Sequence, residues 1–523
     1  MGRKMDMAKV LVIGGAGYVG SSATLFLKDQ GHETWVLDDL STGNREAVVS
    51  HGFTHAQYGD QDAVRKLLAA HQFDCVMHFG ARSLVGESVY KRDEYFENNV
   101  VQTERLIEVL LESNHPGHKR IVFSSSCAVY GDPKTIAIDE SCAKKPLSPY
   151  GESKLAAEKM FERYAHERGL QTIALRYFNA AGADTKLRTG EWHNPETHLL
   201  PRVIDACLHG TPIDLYGTDY DTEDGTAVRD YVHVMDLARA HESAMLRLMK
   251  LPTGIQGRFE AYNLGSQNGF SVQEMIDGCF LISGKKTKIE KKPRRAGDAP
   301  ILVADSQLAQ KVLGFQIHHS LEEIIKTGFE WEKKKPSLLR KAVFLDRDGT
   351  LNEDPGYLND PQKLVLFEGV EKSLKRLKEA GFKLIVTSNQ SGVGRGLIPA
   401  DVLPKIHDRL NELLRPSGAV IDHFELCLHL PEEDCECRKP KAKLILDGAH
   451  AMGIDVSRSY MVGDKLTDVD SGRNAGCKAT ILVCTGLGDK AVKALKPGQA
   501  DFVGANLTEV VDWILAQENV APS

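Results

Sequence analysis

Two aspartates spaced i and i+2, Asp346 and Asp348, stand where the apolar run Val343-Phe344-Leu345 gives way to a Gly349-Thr350 turn. In a strand these positions point the same way, so both carboxylates crowd its C-terminal edge. Such crowding is costly unless a divalent cation lies between the charges or one carboxyl holds a proton. A second pair, Tyr150 and Lys154, falls at i and i+4 on one helix face. There an ammonium can lower a phenol's pKa, making Tyr150 a general base, with Ser126 able to hydrogen-bond the same substrate hydroxyl. A third set, Cys427, His429, Cys435 and Cys437, forms a CxH-x5-CxC pattern. Two ligands, a short loop and two more ligands can close a tetrahedron around Zn2+, with every position filled by protein and the ion therefore structural.

The elements that must position these groups are legible around them. Lys9 to Ile13 reads as a buried strand, Ser21 to Gln30 as a helix stopped by Gly31, and Thr34 to Leu37 as the next strand, ending at Asp38. Between the first two lie Gly14, Gly17, Tyr18, Val19 and Gly20. This is a βαβ unit whose glycines let the backbone approach a pyrophosphate at a helix N-terminus. Asp38 is placed to accept from a ribose diol and to repel a 2′-phosphate, which favours NAD over NADP. Later strands end in Phe79-Gly80 and in Ser124-Ser125-Ser126. In the last third, strands ending at Asp346/Asp348, Ser388 and Asp464 converge on one crevice, if they lie in an open parallel sheet.

The bulk properties fit a chain of several domains. The 523 residues carry a net charge of −7, with no basic excess to suggest nucleic acid or a membrane surface. No apolar run is long enough to span a bilayer, MGRKMDMAKV holds no apolar signal core, and a cytoplasmic protein is expected. Ten cysteines are too sparse for a disulfide scaffold. The helical pattern LEEIIKTGFEWEKKK is expected to stop at Pro336, which divides the chain into 1–335, a linker at 336–341 and 342–523. Both large parts read as α/β.

The spacing GxxGxxG with YxxxK resembles the extended short-chain dehydrogenase/reductase superfamily. Within it, residues 8 to 335 resemble UDP-glucose 4-epimerases through HFGARSLVGESV (78–89), FSSSCAVYGD (123–132), LRYFNAAGA (175–183), HNPETHLLP (193–201), YGTDYDTEDGTAVRDYVHVMDLARAH (216–241), YNLGS (262–266) and PRRAGD (293–298). The resemblance implies a Rossmann fold with a small substrate-binding subdomain, a bound NAD, and a homodimer. It adds Asp60, Gln61, Phe79, Gly80, Asn98 and Tyr177 to the cofactor set. Asn179, His198, Leu199, Arg229, Arg295 and Asp298 match positions that hold UDP. Leu302 stands where members restricted to unmodified hexoses carry a bulky aromatic, so N-acetylhexosamine forms have room. Ser83 replaces a lysine found in some members. A nucleotide-sugar dehydratase needs an acidic pair after Ser126, where Cys127 and Ala128 stand.

The string DRDGT resembles the start of haloacid-dehalogenase-superfamily phosphatases, a second Rossmann-like fold. The resemblance implies that Asp346 attacks phosphorus and that Asp348 protonates the leaving oxygen. Asp346, the backbone carbonyl of Asp348, and Asp464 would hold Mg2+, with Ser388 and either Lys439 or Lys465 neutralising the phosphoryl group. DRDGTLNEDPGYL (346–358), TSNQSGVGRG (387–396) and SYMVGDKLTD (459–468) look like D-glycero-D-manno-heptose 1,7-bisphosphate phosphatase. The short loop LHLPEEDCECRKPK (428–441) looks more like histidinol-phosphate phosphatase. Arg395 and Arg438 are then candidates for a distal phosphate. The reading from another class is that one half serves only as a binding module.

Overall fold

The computed structural model describes residues 7–518 except 134, 136, 194–195, 253–256 and 295–298. The chain divides into two compact units, Met1–Lys335 and Pro336–Ser523.

The first unit is built on a seven-stranded parallel sheet. Its order is Arg258–Leu264, Gln171–Tyr177, Arg120–Ser126, Cys75–His78, Lys9–Ile13, Glu33–Asp38 and Gly52–His55. Strands this apolar are stable only with both faces covered. Val10 and Val12 enter one core with Leu237, Ala240 and Met245 of the helix Val234–Met249. Leu11 and Ile13 enter the other with Leu106, Ile107 and Leu110 of the helix Gln102–Glu112. The alternation follows directly from the two-residue period of a strand. A smaller sheet of Gly269–Ser271, Val228–His233, Ile301–Ala304 and Ala137–Ile138, with Asn179–Ala181 beside Val228–His233, carries much of the substrate subdomain.

The helix after the glycine turn spans Tyr18–Asp29, so it begins three residues before the expected Ser21. Small side chains and glycine do not delay a helix whose buried face packs so closely on Val234–Met249. Pro149–Arg168 starts with Ser148 as N-cap, its hydroxyl accepting from the Gly151 amide at 3.2 Å, and with Pro149 in the first turn. It ends at left-handed Gly169 and carries Tyr150, Lys154 and Glu158 at i, i+4 and i+8.

Pro336 does not stop the preceding helix. Leu321–Leu338 runs through it, so half of the expected linker is helical. A proline in the last turn forfeits one backbone bond, and here the helix ends within two residues of it.

The second unit holds a six-stranded parallel sheet, ordered His423–Cys427, Lys383–Asn389, Ala342–Leu345, Tyr460–Gly463, Ala479–Val483 and Phe502–Gly504. The acidic strand Ala342–Leu345 is central, with Val343 and Leu345 in one core and Ala342 and Phe344 in the other. Its neighbours end in Ser388-Asn389 and in Gly463-Asp464, which brings the three strand ends together as the sequence predicts.

Candidate active sites

In the first unit the glycines divide into structural and permissive positions. Gly14 has φ +74°, and a Cβ there would lie 2.5 Å from the Gly80 amide nitrogen. A Cβ on Gly20 would lie 2.2 Å from the Gly14 carbonyl oxygen. Gly17 is different: its Cβ would meet nothing nearer than 3.5 Å, so packing does not demand glycine there. Gly17 is also the N-cap of Tyr18–Asp29 and supplies no side-chain acceptor to the first-turn amides. An open position before uncapped helix amides fits a dinucleotide pyrophosphate.

Asp38 fastens this turn. Its carboxylate accepts from the Ala16 amide at 2.9 Å and the Leu40 amide at 2.8 Å, while burial pushes its pKa up. Each oxygen keeps a second lone pair for a diol. Asp60 caps the helix Gln61–Ala70 by accepting from Ala63 at 3.1 Å, and Gln61 donates to Glu108 and the Arg105 carbonyl. Tyr18 donates to the Gly182 carbonyl at 2.6 Å, Asn98 donates to Asn99 at 3.0 Å, and Tyr177 pairs with Ser124. Val19 lies in the first helical turn and Phe79 follows the strand Cys75–His78.

Tyr150, Ser126 and Lys154 come together at the end of the central strands. Lys154 is 2% exposed and donates to the Ser124 carbonyl at 2.7 Å, its Nζ lying 6.0 Å from the centre of the Tyr150 ring. Burial lowers the Lys154 ammonium to about 7. Burial pushes the Tyr150 phenol up to about 12, with Ser126 alone drawing it back. This corrects the sequence expectation that Lys154 depresses the phenol: desolvation of both groups outweighs their attraction at that separation.

The remaining substrate positions are spread over the subdomain. Asn179 donates to the Asp230 carbonyl at 3.1 Å, and Arg229 lies in Val228–His233, in register with Leu302. His198 is the N-cap of Leu199–His209, with Leu199 its first residue. Arg295 and Asp298 lie outside the described residues.

Sequence reasoning missed the scaffold behind these groups. Asn99, 3% exposed, bonds both backbone groups of Arg82 and the Ser153 hydroxyl, tying the nearby loop to the Tyr150 helix. Glu158 receives Ser125 at 2.6 Å and Arg176 through two bonds of 2.8 and 2.6 Å. Arg176 reaches on to Tyr130, and Tyr130 to Asn263. Glu158 was findable, being the next i+4 position after Lys154.

In the second unit Asp346 Oδ1 accepts from Ser388 at 2.7 Å and Lys439 at 3.0 Å, while Lys465 lies 3.6 Å from Oδ2. Burial would raise the Asp346 carboxyl, but the two lysines prevail and lower it. Lys439 is the inner lysine, 3% exposed, and also reaches Asp468 at 2.6 Å and the Thr387 carbonyl at 2.7 Å. Asp468 is a site acid that sequence reasoning passed over, although it ends the quoted string SYMVGDKLTD. Ligand atoms of Asp346, Asp464 and Asp468 lie within 4.8 Å of one another. Asp464 Oδ1 is buried without a hydrogen-bond partner, and burial beside Asp346 pushes its carboxyl up to about 6. The Lys465 ammonium lies 3.6 Å from that oxygen without bonding it, and an unbonded oxygen among three carboxylates fits a divalent cation. At Gly349, with φ +88°, a Cβ would lie 2.2 Å from Asp464 Oδ2.

The Asp348 side chain is outside that set. Arg347 grips it through two bonds of 2.9 and 2.7 Å, and Asn352 and Gln390 each donate at 2.9 Å. Burial alone would raise this carboxyl, yet Arg347 and the two amides hold it below its ordinary value. The clamp therefore presents a carboxylate rather than the ready proton donor expected. Arg395 is exposed just after the short helix Ser391–Gly394, and Arg438 donates to the His429 carbonyl at 3.2 Å.

Cys427, His429, Cys435 and Cys437 close a compact set with separations of 3.3 to 3.8 Å. Ligands sharing a tetrahedral ion at zinc–sulfur bond lengths stand about 3.7 Å apart. The four therefore fit the ion expected, and all ten cysteines are free thiols. No described helix is long and apolar enough to cross a membrane.

A dinucleotide cradle beside a buried serine and lysine and a half-buried tyrosine defines a class: enzymes that exchange a proton and a hydride with an alcohol carbon. The family model "NAD dependent epimerase/dehydratase family" matches residues 10–265, and a HAD-hydrolase-like model matches residues 436–510. The UDP-glucose 4-epimerase of Halalkalibacterium halodurans is 45% identical over 329 residues, covering 62% of this chain and 96% of that protein. The UDP-glucose 4-epimerase of Rhizobium meliloti is 39% identical, covering 63% and 99%. Among solved structures, the Brucella ovis UDP-glucose 4-epimerase in complex with NAD has a TM-score of 0.59 at 41% identity, covering 62% of this chain and 98% of that one. The Campylobacter jejuni UDP-Glc/GlcNAc 4-epimerase has a TM-score of 0.54 at 34% identity, covering 62% and 99%. The chain belongs to the NAD dependent epimerase/dehydratase family, and its second unit is a haloacid-dehalogenase-like domain.

Proposed function

We propose that the first unit interconverts UDP-glucose and UDP-galactose through a 4-keto sugar. The second would hydrolyse a sugar phosphate, D-glycero-D-manno-heptose 1,7-bisphosphate. The observation that carries the first reading is the convergence of Tyr150, Ser126 and Lys154 beside the glycine cradle. Gly14 to Gly20, Asp38 and Lys154 would hold NAD, which when bound would supply reversible hydride transfer at C4 of the sugar. Tyr150 takes the 4-hydroxyl proton, and Ser126 orients that hydroxyl. A buried phenol needs a positive neighbour to ionise near neutrality, and a bound nicotinamide would supply that charge. Asn179, His198 and Arg229 would hold the UDP, with Arg295 and Asp298 proposed from the sequence alone.

The observation that carries the second reading is Asp346, whose Oδ1 is fixed by Ser388 and Lys439. That fixes the carboxylate plane, so Oδ2 attacks phosphorus and the P–O bond to the sugar oxygen breaks to leave an aspartyl-phosphate. Water then attacks its phosphorus to release phosphate and restore Asp346. Mg2+ held by Asp346 and Asp464, with the Asp348 carbonyl, would offset charge on the phosphoryl oxygens. Lys439 and Lys465 share that task. Asp348 must leave the Arg347 clamp and take up a proton before it can serve the leaving group. Zn2+ on the cysteine–histidine set would be structural, and Arg395 and Arg438 would meet a distal phosphate.

The second reading of this unit, histidinol phosphate, is favoured by the short 428–441 loop. Phosphate release with Mg2+ from heptose bisphosphate, histidinol phosphate and hexose 1-phosphates, with Asp346→Asn as blank, separates the two. Preference for histidinol phosphate would discard the heptose. The same preparation should carry one zinc per chain, lost in Cys435→Ser; a zinc-free wild type would remove that ion from the account. Turnover of UDP-N-acetylgalactosamine would support the space left by Leu302, and its absence would end that idea. The proposal includes a homodimer through the first unit in the cytoplasm; a monomer by sedimentation would overturn the dimer.

A further inference from the structure

The richest cluster of titratable groups outside the catalytic trio is Glu191, His193, Glu196 and His198. Their ligand atoms lie within 4.8 Å of one another. His198 Nδ1 stands 2.9 Å from Glu191 Oε1 and 2.8 Å from Glu196 Oε1, and the same Glu196 oxygen accepts from the His198 amide at 2.8 Å. The Glu191 side chain is only 6% exposed, whereas that of His198 is 41% exposed. One ring nitrogen is thus committed to two carboxylates, while the ring as a whole remains open to solvent. His198 is the N-cap residue of Leu199–His209, its ring making no bond to the first-turn amides, and the helix dipole there favours an anion.

We propose that Glu191 and Glu196 hold the His198 imidazole as a cation that presents Nε2 to the diphosphate of the nucleotide sugar. Both glutamates are then positioning residues for substrate. The inference rests on the UDP-sugar reading above. A carboxylate on Nδ1 fixes the proton there and strengthens the far nitrogen as a charged donor. A shared metal ion is the other use of such a set. Ligands on a tetrahedral ion with bonds near 2.1 Å would stand about 3.4 Å apart. The 2.8 Å contact of His198 with Glu196 is a hydrogen bond and the 2.9 Å contact with Glu191 an ion pair, both shorter than that separation.

Burial works against the His198 charge, but Glu191 and Glu196 prevail and raise the imidazole to about 10. The charge is therefore present at neutral pH and lost only as pH rises through that value. Other groups face the cluster. His193 Nδ1 lies 3.5 Å from Glu191 and 3.8 Å from Glu196. Tyr18, on its own helix, has a phenol pushed up by burial and by both glutamates. Glu332, on Leu321–Leu338, is raised by burial and paired with Lys335 at 2.6 Å. Burial works against a charge on His193 too, but the same two glutamates raise its imidazole, so the His198→Asn variant is what separates the two rings.

The test is calorimetric binding of UDP to the NAD-loaded protein from pH 6 to 9, for wild type, Glu196→Gln, Glu191→Gln/Glu196→Gln and His198→Asn. NAD content serves as the check on folding. Wild-type affinity, corrected for ionisation of the UDP terminal phosphate at about pH 6, should be flat. The double variant should come nearest to it at pH 6, where part of the imidazole is still protonated, and fall about tenfold short by pH 8.5, the worth of one charge-assisted hydrogen bond. Glu196→Gln should lie between, and His198→Asn should be weak and flat. A double variant, or Glu196→Gln should the double fail to fold, that keeps the wild-type pH profile would overturn the proposal. So would a His198→Asn variant that binds as wild type does. Wild type that retains NAD but binds no UDP would instead overturn the UDP-sugar reading itself.

Discussion

Tyr150 is half-buried and Asp346 buried, and buried ion pairs between residues well apart in sequence lie in both units. Glu158 and Arg176 are 3% and 2% exposed and bonded to each other twice, so removing one charge strands the other. Glu158→Gln should lower the unfolding free energy of the first unit by about 3–5 kcal/mol. Chemical denaturation followed by NAD release would show it; an unchanged midpoint would mean that Arg176 finds another partner. Legibility follows the same division. Ser126, Tyr150, Lys154, Asp346 and Ser388 were readable because each ends a strand or repeats at helical spacing. Asn99 was not, because its bond to Ser153 spans 54 residues. The Arg347 clamp on Asp348 escaped for a different reason. Neighbouring residues in a turn can face each other, and the strand rule used to place the two aspartates no longer applies there.

Among elements, the parallel strands were plain from their unbroken apolar runs, and the glycine turn from its spacing. Boundaries were less so. Pro336 looked like a stop signal because a proline removes a backbone donor, yet one missing bond in a final turn is tolerable. The last described helix, Leu507–Gln517, depends on a contact no pattern suggests. Glu518, at its end, accepts from Lys341 at 2.8 Å, Lys478 at 2.6 Å and Tyr460 at 2.7 Å. Burial would raise its carboxyl, but Lys341 and Lys478 lower it to about 2. A depressed carboxyl stabilises the fold above its unfolded value near 4.3, and that stability disappears as pH falls toward 2. With Lys478 39% exposed, the discounted contribution is about 1 kcal/mol. Glu518→Gln should therefore lower the Tm of the second unit at pH 7 and converge with wild type near pH 2. A gap that persists at low pH would assign the effect to packing instead of charge.

At the scale of the whole molecule, two α/β units occur in one chain, and each brings its reactive groups to the C-terminal ends of parallel strands. The first sheet holds the strand from Lys9 that runs into the glycine turn, and the second the strand from Ala342 that runs into the paired acids. What no local pattern supplied was the subdomain scaffold. There Asp230 accepts from the Ser266, Gln267 and Ala304 amides, joining three separate stretches of chain around Arg229 and Leu302. The central claim is that each unit holds a complete catalytic site of its own. The direct measurement is UDP-glucose formation from UDP-galactose, and phosphate release from heptose bisphosphate, in parallel for wild type, Tyr150→Phe and Asp346→Asn. Tyr150→Phe should lose about 10²–10⁴-fold in epimerisation with phosphate release unchanged. Asp346→Asn should abolish phosphate release and leave epimerisation intact. Loss of both activities in either variant, or no activity in one unit of the wild type, would contradict it.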